Sequence, residues 1–228
     1  MSQDLPSTIS SRMFLTDGVR IVLFGISVFV LSQLLFSLFS SGIASDERRT
    51  LSGLYFLLSL VGFGYYFWIY LAELRIGRRA IATFGVFLLA LVIFYSSVSA
   101  DVLREIWIFQ HGPDLTRMDD GGFWYVFEKT SEILFQQVLV AAGIILSHRY
   151  FRSLWKVALM FSLFFAIGHL SQAIDHTTAW VLTSLVAGAV SGLTIPFLIL
   201  RVPSGIVFSS MLHWLFYVGL VLWFSFPT

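Results

Sequence analysis

Cysteine is absent from all 228 residues. That excludes thiol nucleophiles, thiolate metal sites and disulfide staples. Charge is nearly as scarce: Asp, Glu, Lys and Arg make up 12% of the chain, about half of the roughly 25% usual in a soluble domain. A net charge of +1 gives no electrostatic footprint for nucleic acid, so no nucleic-acid partner is expected. What the chain has in excess is apolar. Hydrophobic residues reach 57%, aromatics 17%, and mean hydropathy is +0.86. A soluble globule of this length leaves too much surface in water to carry that composition. The expected fold class is all-α, a polytopic membrane protein whose first partner is the lipid bilayer.

A spanning helix needs about 20 mostly apolar residues. Seven stretches qualify: Val19–Phe39, Leu51–Leu74, Ala80–Ala100, Phe123–Ser147, Leu154–Gln172, Ala179–Leu200 and Gly205–Phe226. The fifth is short, and Pro196 is expected to kink or fray the last turn of the sixth. Asp4 and Asp17, followed by an overlong apolar run, argue for an uncleaved anchor rather than a signal peptide. With seven passes, one side collects nine basic residues (Arg12, Arg20, Arg75, Arg78, Arg79, Arg149, Arg152, Lys156, Arg201) and the other five (Arg48, Arg49, Arg104, Arg117, Lys129). Positive charge stays in the cytoplasm, so the N-terminus is expected there and the C-terminus outside. The loop Asp101–Gly122 then lies outside. It carries Asp114, Asp119 and Asp120, a short interfacial helix Val102–Gln110 with Trp107 at headgroup level, and a break at Asp120-Gly121-Gly122. His111 and His148 are expected in solvated loops, and one membrane domain is expected over the whole chain.

Ionisable groups within spanning helices are costly, and they face the bundle interior or a water cavity. In the fourth span Glu128, Glu132 and Gln136 recur every four residues, on one helical stripe. Glu132 is about 13 Å along the axis from Phe123, too deep for a headgroup contact. In the fifth span Phe165 precedes His169 by four, and in the seventh Ser209, His213 and Tyr217 share a stripe. One carboxylate and two histidines on three helices supply a general base, a group to share the proton of a water, and a donor for an oxyanion. The plainer alternative makes Glu132 a structural carboxylate paired with Lys129, and each histidine an interhelical hydrogen bonder. Gly188-Ala-Val-Ser-Gly192 is a close-packing motif.

These residues resemble the CPBP family of intramembrane proteases, which includes the type II CAAX prenyl endopeptidases and the bacterial Abi proteins. Its pattern is EExxxR on one helix, FxxxH on the next and HxxxN, variable at its end, on a later one. Ser131-Glu-Ile-Leu-Phe-Gln136 is similar to the first motif, Phe165-Ala-Ile-Gly-His169 matches the second, and His213-Trp-Leu-Phe-Tyr217 matches the His of the third. The likeness covers roughly residues 130–223, within a four-helix core at 123–228; the three spans and loop of 1–122 carry none of it. Three positions depart: Ser131 stands where the family has its first Glu, Gln136 where it has Arg, and Tyr217 where it has Asn. The resemblance implies hydrolysis of a peptide bond at the membrane by Glu132, His169 and His213, with Tyr217, Gln136 and Glu128 in support and neither cofactor nor metal. It implies a peptide or membrane-protein substrate and a bacterial inner membrane as the setting. The departures imply an alternative, a catalytically silent relative that acts as a membrane scaffold, binding or assembly subunit.

Overall fold

The computed structural model describes residues 10–39, 45–111, 122–170 and 176–225. Asp114, Arg117, Asp119, Asp120, the expected break at Asp120-Gly121 and Asp175 lie outside the described residues, as do the side chains of Trp107 and His111. Among the described residues every regular element is helical: α1 (Ser11–Phe39), α2 (Ser45–Tyr66), α3 (Trp68–Leu71), α4 (Arg78–Ser97), α5 (Ala100–His111), α6 (Phe123–Phe151), α7 (Leu154–His169), α8 (Thr178–Arg201) and α9 (Gly205–Ser225).

Five of these, α1, α4, α6, α8 and α9, are long and apolar enough to cross a membrane. The chain is thus an all-helical protein suited to a lipid bilayer. Two of the seven expected spans fall short of that measure. The second stretch is not one helix: α2 opens on Asp46, Glu47, Arg48 and Arg49 and ends at Tyr66, and a separate turn, α3, follows. The fifth, α7, is a helix of 16 residues, about 24 Å long against a hydrocarbon thickness of about 30 Å. Pro196 does not end α8, which runs on to Arg201; the proline is buried, so packing holds the helix although the Gly192 carbonyl loses its usual donor. His148 is not in a loop, because α6 continues four residues past Ser147 and carries it, half-buried, in its last turn.

Local signals set several ends. Ser153 Oγ accepts the Lys156 amide at the start of α7, and Thr177 Oγ1 accepts the Trp180 amide at the start of α8, each satisfying a first-turn donor. Arg152 ends α6 in the left-handed region at φ 51°.

α6 is the axis of the bundle. Of its apolar window 56% is buried, against 17–33% for the other four long apolar helices. One side of it carries Phe135, fully buried and ringed by Phe24, Phe29, Phe56 and Phe63 at 5.8–6.4 Å between centroids. A second cluster joins Ala141 and Ile144 to Val157 and Phe161 of α7, Ile195 and Ile199 of α8 and Ile206 of α9. A third joins Val126 and Ile133 to Leu91 and Tyr95 of α4 and Trp214 and Val221 of α9. α7 lies closely along α8 because Gly192 has no side chain: a Cβ there would strike the Phe161 and Ser162 backbone. Leu58, Val61, Val86, Leu182 and Val186 point outward and are more than half exposed, as lipid-facing residues are.

Candidate functional site

Contacts sort the helix ends into two groups. At one end Ser11 meets Tyr150, Tyr70 donates to Asp17 at 2.5 Å, Arg149 pairs with Glu73, and the Ser204 amide donates to the Arg75 carbonyl at 3.0 Å. This end carries Arg20, Arg75, Arg149 and Arg201. At the other, Arg49 meets Glu128, Tyr95 packs on Tyr125, and the Thr177 amide donates to the Gln110 carbonyl at 2.8 Å. The polar stripe of α6 lies toward this second end.

Glu128 and Glu132 share the stripe but take different partners. Glu128 pairs across to α2, with Arg49 at 3.5 Å, and Arg49 also stacks 5.1 Å over the Tyr125 ring. Glu132 is held within its own helix. Lys129 Nζ donates to one carboxylate oxygen at 2.9 Å, and Gln136 Nε2 donates to the other at 2.9 Å. The Lys129 and Glu132 side chains are each 21% exposed, so the pair is shielded but not sealed.

The stripe continues into α9. Lys129 Nζ sits 4.7 Å over the Tyr217 ring, and Tyr217 stacks almost parallel on His213, 5.8 Å between centroids. Gln137, fully buried, offers its Nε2 to His213 Nδ1 at 3.3 Å. With Nδ1 accepting, a neutral His213 carries its proton on Nε2 and presents a donor there. The Gln137 Oε1 is buried and has no hydrogen-bond partner among the described residues.

His169 has the opposite polarity. Its Nδ1–H donates to the Phe165 carbonyl at 2.7 Å, which in the neutral tautomer puts the ring's acceptor on Nε2. The Phe-x-x-x-His spacing is thus a backbone device that fixes a tautomer. Gly188 of α8 makes the room: a Cβ there would stand 2.7 Å from His169 Nδ1. His169, Lys129 and Glu132 all lie within electrostatic reach of His213.

Ser131 is buried and turned back on α6, its hydroxyl donating to the Phe127 carbonyl at 2.8 Å. It contributes nothing to the cluster. Sequence reasoning named Lys129 as a structural partner, counted Arg49 only among the topology charges, and placed Gln137 beside the stripe without giving it a partner. The i,i+3 spacing of Lys129 and Glu132 was the available signal for the first; the other two are contacts between helices that no spacing reveals.

Compared with models of protein families, with curated proteins and with solved structures, the chain finds no match in any of the three.

Proposed function

We propose that this chain is an integral membrane protein of CPBP type that hydrolyses a peptide bond at the membrane, with Glu132 as base. The observation that carries the reading is the pair of opposed Nδ1 contacts, to the Phe165 carbonyl at His169 and to the Gln137 amide group at His213, which in neutral rings assign an acceptor Nε2 to His169 and a donor Nε2 to His213. A water held between Glu132 and His169 gives a proton to the carboxylate while His169 accepts its other hydrogen. The water oxygen bonds to the peptide carbon, and the oxyanion accepts from His213 Nε2–H and the Tyr217 hydroxyl. As the carbon–nitrogen bond breaks, Glu132 returns the proton to the leaving amine. Lys129 supplies the cation that the family motif places at the position of Gln136, one turn before Glu132 rather than one turn after.

In this reading α2 and α7 also cross, giving seven passes that alternate in direction, with the N-terminus cytoplasmic by the nine-to-five basic asymmetry. A reporter fused after Thr228 then reports the outer side; cytoplasmic activity of that fusion refutes the topology.

A second reading has its own support. Both Glu132 oxygens are occupied and Ser131 faces its own helix, as in a silent relative whose centre binds a peptide or a partner helix. Wild type against Glu132→Gln in a membrane peptide-cleavage assay separates the two. The hydrolase predicts a loss of about 10²–10⁴-fold in rate. Equal cleavage by both proteins removes Glu132 as base, and no cleavage by wild type leaves the binding role.

A further inference from the structure

At the basic end of the bundle the α3–α4 connection, the last turn of α8 and the first turn of α9 line a partly open cavity of about 190 Å³. Its walls include Glu73, Arg75, Arg201, Val202, Pro203 and Ser204. That is room for a group of several heavy atoms rather than a single water, whose share of the liquid is about 30 Å³.

The charges there do not cancel. The Glu73 carboxylate is taken by Arg149 of α6. Among the described residues, no carboxylate lies within ion-pair distance of Arg75 or Arg201. The two guanidinium groups come from segments far apart in sequence, and Ser204 ties those segments together. Its hydroxyl accepts the Gly77 amide at 2.9 Å, and its own amide donates to the Arg75 carbonyl. Two arginines on one small cavity with no acid paired to either among the described residues fit a phosphate, because the guanidinium fork matches phosphate oxygens.

The surroundings favour one source of that phosphate. The cavity opens where α8 and α9 pass from apolar helix to turn, and Val202 at its rim is 37% exposed. A ligand there meets cations and aliphatic side chains together, as the phosphate and glycerol of a lipid do. Anionic lipids are drawn to clusters of basic residues near the membrane surface.

We propose that this cavity binds the phosphate of an anionic phospholipid headgroup between Arg75 and Arg201. The site is separate from the Glu132 centre and does not depend on its being catalytic.

The test uses the full chain in nanodiscs of phosphatidylcholine alone or with added phosphatidylglycerol, at fixed ionic strength. Bound lipid is counted by native mass spectrometry, and Tm is followed in parallel. Wild type should retain phosphatidylglycerol and gain Tm from it. The Arg75→Gln/Arg201→Gln protein should match wild type in pure phosphatidylcholine but lose at least about tenfold in retention of phosphatidylglycerol, the scale of one good charge-assisted contact. Arg78→Gln/Arg79→Gln, exposed and outside the cavity, should retain it as wild type does. Equal loss in both double variants would reduce the effect to diffuse charge and overturn the proposal. So would a wild type with no preference for phosphatidylglycerol. Inorganic phosphate over phosphatidylcholine discs is the last arm: stabilisation by it, with none from phosphatidylglycerol, would assign the cavity to a soluble anion and overturn the lipid.

Discussion

The two ends of this bundle handle charge in opposite ways. At the Glu132 end, acid and base are matched: Glu128 with Arg49, Glu132 with Lys129. At the basic end Asp17 and Glu73 are taken by Tyr70 and Arg149, and among the described residues no acid lies within ion-pair distance of Arg75 or Arg201. One end neutralises itself inside the protein, and the other keeps a positive surplus at its rim. The difference follows exposure: the paired Lys129, Glu132, Arg149 and Glu73 side chains are shielded, whereas Arg75 and Arg201 are exposed. A shielded charge must find a partner in the protein, whereas an exposed one has water and headgroups.

The sharpest way to break this contrast is Lys129→Met. It leaves Glu132 shielded without its cation. A fully buried pair costs about 3–5 kcal/mol when one partner is removed, and one-fifth exposure lowers the expectation to about 2–3 kcal/mol. Adding Glu132→Gln should recover most of that loss, because the stranded charge is then gone. A double-mutant cycle on Tm reads the coupling, and a double variant no better than Lys129→Met would show that the pair contributes little. Arg149→Met attacks the other end. Its guanidinium pairs with Glu73 and lies 5.2 Å over the Tyr70 ring, so stability should fall by about 1–2 kcal/mol. Because Glu73 borders an open cavity, water can compensate, and the loss should be smaller than at Lys129. The reverse order in denaturation would overturn the exposure argument. The smallest effect is expected from Gln137→Leu. It unpairs His213 Nδ1 but also removes the orphaned Oε1, so the two changes nearly cancel, within about 1 kcal/mol. In a cleavage assay the same variant should reduce activity by freeing the His213 tautomer, and unchanged activity would detach Gln137 from the site.

Much of the fold was legible. The apolar stretches fixed where most helices run, and the start of α6 at Phe123 and of α9 at Gly205 coincide with the expected ones. The second stretch was misread because summed hydropathy does not see the break after Tyr66 that splits α2 from α3. Ser147 was taken as the end of α6 because His148 and Arg149 read as loop residues. In the fold they sit on a helical turn, where Arg149 has Glu73 as its counter-ion. In the site, the stripe carrying Glu128, Glu132 and Gln136 was visible from its four-residue period, and so was the pairing of Phe165 with His169.

By itself the sequence determined that this chain is helical, apolar and suited to a bilayer, and where the polar stripes of α6, α7 and α9 run. Those properties depend on local composition and on the helical period alone. Tertiary structure decided which polar face meets which. Glu128 and Glu132 lie one turn apart on a single stripe, yet the first faces the start of α2 and the second, through Lys129, faces Tyr217 of α9. A helical period fixes an angle about one axis. The neighbour found at that angle depends on how the other helices pack around α6.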